Sequence, residues 1–338
     1  MKRKGYLYQN LYNFENIQSA FNEVCQNTKN KKKVSKFNEY ECIYISKIYN
    51  ILKTKKYKPG QYNVFTIYEP KKRRIVSQNM QDKIINHLVA RHILYPAILP
   101  CLLDVNVASR KGLGTSKGIR LYKNFHRICK VKYKTYYVLK CDISKFFASI
   151  NHEILKEKLK RKIKDKDALK IVFDIIDVEE NGLSIGAMTS QILAIFYLND
   201  MDHFIKENLK IKYYIRYQDD FLLFHPSKKY LKYCLKELEK FLDKEKLKLN
   251  KKTRIYKSTN NFIFLGRKTN GDYAKYRDVK RKIKKRIYLY KTSQIEFSGL
   301  LNSIICYKNL CKKGSNYWFN YYLKNSYKIY SFSNINTY

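Results

Sequence analysis

The sequence has 338 residues and a formal net charge of +42, with 70 Lys and Arg residues against 28 Asp and Glu residues, which predicts a nucleic-acid partner. Its 45% hydrophobic content argues against a disordered chain, and eight cysteines without CxxC spacing argue against a zinc or disulfide framework. Because no apolar stretch reaches the length of a membrane span and no signal segment follows the basic start, we expect a cytoplasmic protein with no membrane partner.

A basic β-hairpin is predicted between two helical segments in the first third of the chain. Residues 62–67 alternate in polarity like a strand, 69–72 contain turn residues, and 73–76 return as a second strand. The tip and the returning strand carry four cations, Lys71, Lys72, Arg73 and Arg74. Such a cluster is suited to clamping phosphate groups, and the alternative is an ordinary solvated basic turn.

Two glycine-containing loops are candidates for close contact with a ligand. Residues 109–117 form a basic loop with two glycines, whose order is not that of a Walker loop. The loop, with Arg110 and Lys111, is suited to close approach of its backbone to phosphates. Residues 182–191 form a small-residue turn that opens a long apolar helix, where Gly186 lets a substrate approach the backbone and the helix start favours anions.

Acidic residues interrupt or end apolar strands at two places. Residues 136–142 read as a buried strand that ends at Asp142. Residues 213–224 are two apolar runs separated by Asp219 and Asp220, the pattern of a β-hairpin whose tight turn carries both acids. Adjacent carboxylates repel, so such a pair needs a cation if it is buried. These acids are therefore candidate metal ligands, and the alternative is a solvated turn.

The remaining third is predicted to contain helices, short strands and a basic end. Ser227 is a candidate N-cap of an amphipathic helix, and residues 247–256 and 261–265 read as strands. Residues 276–338 carry 13 Lys and Arg residues against two acids, interleaved with tyrosines. Cations mixed with aromatic residues suit a nucleic-acid backbone.

Three of these stretches, taken together and in this order, resemble motifs A, B and C of reverse transcriptases. They are Asp142 with Phe147, Ile185-Gly186-x-x-x-Ser190-Gln191, and Tyr217-Gln218-Asp219-Asp220. The resemblance covers residues from about 60 to about 270. It implies an α+β right-hand polymerase with fingers, a palm of antiparallel sheet packed on helices, and a helical thumb. We expect the N-terminal extension and fingers over 1–135, the palm over 136–272 and the thumb over 273–338.

The candidate acids fit the chemistry of nucleotidyl transfer. This reaction uses two divalent cations, one activating the primer hydroxyl and one holding the triphosphate. We predict that Asp142 and Asp219 bridge two Mg²⁺ ions and that Asp220 completes the cluster, with Mn²⁺ as a substitute. The backbone carbonyl of Ile143 is a candidate further ligand.

The resemblance implies roles around the incoming nucleotide. Phe147 is the expected steric gate against a ribose 2′-hydroxyl, and the alternative is an ordinary core aromatic. The triphosphate is expected to lie against Lys71 and Arg73, with Lys72 or Arg74 as alternatives. Three further residues are expected to line the nucleotide and template pocket, namely Ile185, Gly186 and Gln191.

The resemblance also implies roles for residues that contact the growing duplex. Lys252 is the expected general acid for pyrophosphate, with Lys251 as the alternative. Primer and template contacts are expected from Arg110, Lys111, Tyr217 and Gln218. Leu265 and Gly266 lie in the stretch that resembles the primer grip.

The subfamily is indicated by motif B and by the compact length. The sequence IGxxxSQ and the short basic C-terminal region resemble reverse transcriptases of diversity-generating retroelements, although Gln218 stands where that family more often has Met. This resemblance implies error-prone copying of a template RNA, with errors directed to adenines, by a bacterial or phage-encoded enzyme. Its expected partners are template RNA, primer or cDNA, dNTPs and a small helical accessory protein. The alternatives are a phage-defence or group II intron-like reverse transcriptase, or a catalytically idle RNA-binding scaffold.

Overall fold

The computed structural model describes residues 3–28, 31–67, 73–269, 274–276 and 279–310. Its α-helices are α1 (Phe14–Asn27), α2 (Lys31–Glu39), α3 (Glu41–Lys53), α4 (Met80–Val89), α5 (Tyr95–Ile98), α6 (Thr115–Tyr133), α7 (Phe146–Ser149), α8 (His152–Lys160), α9 (Lys166–Ile176), α10 (Met188–Tyr197), α11 (Asn199–His203), α12 (Lys228–Lys244), α13 (Val279–Lys291) and α14 (Phe297–Leu310). Its strands are β1 (Asn63–Ile67), β2 (Arg73–Ser77), β3 (Tyr137–Asp142), β4 (Tyr213–Tyr217), β5 (Asp220–His225), β6 (Arg254–Lys257), β7 (Phe262–Phe264), β8 (Arg267–Thr269) and β9 (Ala274–Tyr276). Short 3-10 turns span Tyr8–Tyr12 and Leu99–Cys101, and π-helical turns span Ala90–Leu94 and Phe204–Asn208.

The chain divides into two compact units, residues 1–260 and 261–338. Both units combine helices with antiparallel strands, as the α+β class predicts. The division into fingers, palm and thumb stays a prediction.

The first unit begins with a helical layer and the predicted hairpin. Side chains cap its helices, since Asn13 accepts a hydrogen bond from the Asn16 amide and Asn79 accepts one from the Asp82 amide. α1 packs on α3 and α4 through buried apolar side chains such as Phe21. β1 and β2 pair antiparallel from Asn63 with Ser77 to Ile67 with Arg73, so the hairpin prediction is confirmed.

A four-stranded antiparallel sheet, in the order β4-β5-β3-β6, forms the centre of the first unit. α12 packs on β3 and β5, and Ser227 caps it by accepting the Tyr230 amide, as predicted. α6 packs on β4 and β5, with Tyr122 against Phe224. Because α12 and α6 cover the sheet, β4 and β5 are nearly continuous buried strands.

The strand predicted over residues 247–256 is shorter in the structure. Only β6 forms a ladder, and the segment before it makes one isolated bridge, between Ile143 and Leu249. The apolar helix after Gly186 was predicted to run to about residue 204, but α10 ends at Tyr197 and α11 follows as a separate helix.

The second unit contains a small three-stranded antiparallel sheet, in the order β7-β8-β9, and two helices that pack together, α13 and α14. Across both units, no described helix combines the length and apolar character needed to cross a bilayer.

Candidate active site

Asp142 and Asp220 lie opposite each other in the central sheet. β3 ends at Asp142, β5 begins at Asp220, and the two residues are cross-strand partners. Directly opposed residues of antiparallel strands have Cβ atoms about 4.5–5.5 Å apart and project to the same face. The pairing therefore brings together two of the three acids that the sequence singled out, although Asp142 and Asp220 are 78 positions apart along the chain.

The third acid, Asp219, lies in the turn between β4 and β5. Tyr217 pairs with Asp220, so only Gln218 and Asp219 form the loop of this hairpin. Gln218 has a φ of 56°, a left-handed conformation that is unusual for a residue other than glycine. All three acids are partly buried, and the tight turn predicted from the sequence is confirmed.

Two hydrogen bonds hold Gln218 in this conformation. The Arg216 guanidinium donates to the Gln218 carbonyl oxygen at 3.1 Å, and the Gln218 side-chain amide donates to Ser109 Oγ at 2.8 Å. Ser109 Oγ in turn lies 3.5 Å from Gln191 Oε1 at the start of α10. Ser109 therefore connects the turn of motif C to the helix of motif B.

A fully buried ion pair lies beneath this turn. The side chains of Arg216 and Asp202 are both 0% exposed. Arg216 Nε donates to Asp202 Oδ1 at 2.7 Å, a second nitrogen contacts Asp202 Oδ2, and the Tyr214 hydroxyl donates to Asp202 Oδ1 at 2.6 Å. Burial alone would lower the pKa of Arg216, but Asp202 keeps it above its usual value. The pair is thus charged, and its two-point geometry fixes β4 against α11.

A second ion pair lies on the same sheet face as the acids. The Lys140 ammonium contacts the Asp220 carboxylate, with side chains 18% and 24% exposed. Burial raises the pKa of the Asp220 carboxyl to about 6, and Lys140 opposes this rise. Among the residues that the structure describes, no three His, Cys, Asp or Glu side chains gather as a metal-holding group. Asp220 is instead held by Lys140.

The segment that carries Lys252 is fixed to the end of β3. The Asn250 amide donates to the Asp142 carbonyl oxygen at 2.7 Å, and the Ser144 amide donates to the Lys248 carbonyl oxygen at 2.9 Å. These bonds flank Ile143, so its own carbonyl points to the opposite side of the strand, towards β5. This orientation suits the predicted ligand role of that carbonyl, and Lys252 is exposed on the same segment.

Phe147, the predicted steric gate, is half-buried with its ring edge-on to Phe146. Its carbonyl oxygen accepts a hydrogen bond from the Leu183 amide at 2.8 Å. Gly182 has a φ of 73°, and a Cβ added there would lie 2.4 Å from that oxygen. Only glycine fits such an approach. The segment before motif B therefore fixes the backbone of Phe147.

The loop with Ile185 and Gly186 lies against β2. The Val76 amide donates to the Ile185 carbonyl oxygen at 3.4 Å, and a Cβ added at Gly186 would lie 3.3 Å from the Val76 carbonyl oxygen. Gly186 itself has a φ of 127° and is exposed. The structure therefore brings the basic hairpin next to motif B.

The two arginines of β2 have different surroundings. Both arginines are exposed, but Arg74 forms an ion pair with Glu179 at 2.6 Å. Arg73 is thus the better candidate for a triphosphate contact. Lys71 and its alternative Lys72 lie outside the described residues.

Arg110 and Lys111 also differ. The Arg110 guanidinium donates to the carbonyl oxygens of Leu103 and Asn106 and contacts Asp104, so internal contacts already occupy it. Lys111 is exposed. Of the two predicted primer and template contacts in this loop, Lys111 has the side chain that is more accessible to a ligand.

Comparison with known families identifies the arrangement. Residues 51–269 match the family model described as reverse transcriptase (RNA-dependent DNA polymerase), which covers more than half of the chain. The chain belongs to the reverse transcriptase family. Among curated proteins, none matches the sequence significantly.

Solved telomerase structures are similar to this chain. A telomerase from Candida albicans, solved with a fragment of telomeric RNA, is 14% identical with a TM-score of 0.51, over 76% of this chain and 55% of that one. A telomerase from Candida tropicalis without its C-terminal domain is 17% identical with a TM-score of 0.48, over 72% of this chain and 60% of that one. This chain thus spans little more than half the length of these telomerases. The first similarity bears out the predicted right-hand polymerase fold.

Leu265 and Gly266, the predicted primer grip of this reverse transcriptase, lie in the second unit. They form the two-residue turn between β7 and β8, because Phe264 pairs with Arg267. Both have positive φ, 49° for Leu265 and 73° for Gly266. Positive φ at both loop positions is typical of a type I′ hairpin turn.

Four residues that support the reverse transcriptase site were missed at the sequence level. They are Ser109, Lys140, Asp202 and Arg216. Arg216 immediately precedes Tyr217, and a cation within an otherwise apolar strand is a signal that could have found it. Asp202 carries no such signal, since it lies among other polar residues in the short helix α11.

Proposed function

We propose that this chain copies an RNA template into DNA by two-metal-ion nucleotidyl transfer at Asp142, Asp219 and Asp220. The observation that carries the proposal is the cross-strand pairing of Asp142 with Asp220, beside the turn that presents Asp219. Membership of the reverse transcriptase family supports the same reaction. Template RNA, a primer and dNTPs are the substrates that this reaction requires.

The donor set fits a hard divalent cation such as Mg²⁺. Three carboxylates and the Ile143 carbonyl are oxygen ligands of the type that Mg²⁺ prefers. Bound there, two such ions would activate the primer hydroxyl and neutralise the triphosphate. Asp220 would have to leave Lys140 to join them. We therefore assign Asp142 and Asp219 as the main ligands and Asp220 as the exchangeable one.

The surrounding residues are proposed to orient the nucleotide. Arg73 would hold the triphosphate together with Lys71, and Ile185, Gly186 and Gln191 would line the base and template pocket. Phe147 would exclude a ribose 2′-hydroxyl because Gly182 fixes its backbone. Lys252 would donate a proton to the pyrophosphate leaving group, and its segment is anchored to the Asp142 carbonyl.

We further propose that the enzyme belongs to the error-prone class found in diversity-generating retroelements. The support is the sequence from Ile185 to Gln191, where an apolar side chain replaces a polar contact near the nucleotide. This assignment carries with it a bacterial or phage origin, a cytoplasmic location and a small helical accessory protein. Sequencing of the cDNA tests it, because errors spread evenly over all template bases would contradict adenine-directed copying.

The main test is primer extension on an RNA template with dNTPs and Mg²⁺. Asp219→Asn should reduce DNA synthesis by at least about a hundredfold, because it removes a charged ligand from the metals. Asp243→Asn is the matched control, since Asp243 is exposed on α12 and outside the site. Equal incorporation by wild type and Asp219→Asn would reject the assignment, and so would equal loss in the control.

A further inference from the structure

An unusually basic stretch separates Asp104 from Asp142. Residues 105–141 contain no Asp or Glu and carry ten Lys and Arg residues. α6 occupies the middle of this stretch. Arg110, Lys111 and Lys140 lie in or beside the candidate active site, whereas six of the other seven cations lie on α6.

Four of these cations line one face of α6. Arg120, Lys123, Arg127 and Lys130 are all exposed. Their spacing of three, four and three residues places them in a single row, here called the α6 stripe, about 15 Å long. The opposite face of the helix is buried, where Tyr122 packs on Phe224.

The composition of α6 differs from that of the other long basic helix of the unit. α12 exposes six lysines, among them Lys228, Lys229, Lys232 and Lys236, but it carries Glu237, Glu239 and Asp243 as well. Its Lys240 forms an ion pair with Glu237 at 2.7 Å. α6 has no acidic side chain, so no acid within the helix offsets the positive charge of its Lys and Arg residues. A row of like charges repels itself and favours a polyanion as partner.

We propose that the α6 stripe binds the phosphate backbone of RNA outside the template and primer duplex. The proposal rests on the proposed function, because the ligand is taken to be the RNA that the enzyme copies. The stripe faces away from the sheet whose strand ends carry the acids, and the helix, about 10 Å thick, lies between them. An RNA segment on the stripe is therefore a different segment from the one at Asp142 and Asp219.

The chemistry of the α6 stripe favours RNA over a membrane surface. Lys and Arg side chains contact phosphates through charge-assisted hydrogen bonds without reading bases. A helix that lies in a bilayer interface needs an exposed apolar face as well. The apolar face of α6 is buried on the sheet, and Val131 is the exposed apolar side chain that the structure shows on this helix.

The test compares two quadruple variants that remove the same charge. The stripe variant is R120Q/K123Q/R127Q/K130Q, and the matched control is K228Q/K229Q/K232Q/K236Q on α12. Two probes are used, an RNA template annealed to a short DNA primer, and the same template joined to an RNA hairpin of about 16 base pairs. Circular dichroism and thermal melting establish that both variants fold.

We expect wild type and control to bind the hairpin-bearing probe more tightly than the short probe. The stripe variant should lose this gain and bind the longer probe roughly tenfold more weakly. Its plot of log binding constant against log salt concentration should be less steep by about three. Its binding and extension of the short probe should match the control. Failure of wild type to extend any primer would reject the proposed function, whereas the binding comparison would still report on the stripe.

Three outcomes would overturn the proposal. Equal binding of the longer probe by both variants would remove RNA as the ligand of the α6 stripe. If the stripe variant lost the same binding affinity for both probes, the α6 stripe would be a contact to the template and primer duplex. Stripe-dependent binding to vesicles of phosphatidylcholine and phosphatidylserine, without an effect on RNA, would identify a membrane surface instead.

Discussion

Two ion pairs lie close to the turn formed by Gln218 and Asp219, and they differ in burial and in the number of contacts. Arg216 and Asp202 are fully buried and joined at two points, with further bonds to Tyr214 and to the Gln218 carbonyl. Lys140 and Asp220 are partly exposed and joined through one carboxylate oxygen. The first pair is suited to fixing the conformation of the turn. The second is suited to releasing Asp220 to a cation.

This difference follows from what each acid is expected to do. A buried charge that loses its partner is costly, so Asp202 has to keep Arg216 at every stage of the reaction. Asp220 has to trade its partner for a cation, which requires access to solvent and a modest contact. The site thus combines a permanent support with an exchangeable contact on neighbouring strands.

The largest expected effect comes from breaking the buried pair. Arg216→Met leaves Asp202 uncompensated and removes the donor to the Gln218 carbonyl, so we expect a loss of about 3–5 kcal/mol in unfolding free energy and loss of DNA synthesis. Urea denaturation and primer extension measure the two effects.

The double variant R216M/D202L separates two roles of Arg216, namely positioning the Gln218 carbonyl and compensating the charge of Asp202. Removing both partners should recover most of the stability, because no buried charge is left alone. DNA synthesis should stay low, since the Gln218 carbonyl still lacks its donor. Full recovery of synthesis would show that Arg216 only compensates Asp202 and does not position the turn.

Breaking the partly buried pair should change the pH dependence more than the stability. Lys140→Met should lower the unfolding free energy by less than Arg216→Met does, because Asp220 keeps some access to water and can take up a proton. Lys140 lowers the pKa of Asp220, so its removal raises that pKa above the value of about 6. A protonated carboxyl is a poor ligand, so the pH midpoint of Mn²⁺ binding should move upwards. Electron paramagnetic resonance titrations measure it, and an unchanged midpoint would contradict the contact.

The smallest expected effect concerns the strained residue that the buried pair supports. Gln218→Gly should be more stable than Gln218→Ala by about 1 kcal/mol, since glycine adopts a positive φ without strain and both variants lose the bond to Ser109. Thermal melting of the two variants tests this difference. Equal stability would mean that Gln218 does not keep its left-handed conformation in solution.

The sequence predicts the parts of this site that depend on short-range patterns. The apolar runs on either side of Asp219 and Asp220 predicted their hairpin, and the run that ends at Asp142 predicted its strand. Ser227 was identified as a cap because an N-cap needs only its own next turn. The four-stranded order could not be predicted, since pairing of β3 with both β5 and β6 depends on contacts across more than 70 residues.

Other features depend on the assembled fold and left no local signal. The link from Gln218 through Ser109 to Gln191 joins three distant segments. The sequence places Arg110 in a basic loop and indicates a cation available to a ligand. In the fold, however, its guanidinium donates to nearby backbone carbonyl oxygens. The length of the strand before β6 was overestimated because apolar alternation does not reveal where a ladder ends.

The bond from the Asn250 amide to the Asp142 carbonyl has a consequence for biosynthesis. β3 lies between β5 and β6 in the sheet, and both of these strands follow it in the sequence, the later one ending at Lys257. A nascent chain therefore cannot complete the surroundings of Asp142 until Lys257 has left the ribosome. Pauses in translation before this point would therefore expose an unfinished sheet, whereas pauses after it would leave the sheet closed on both sides.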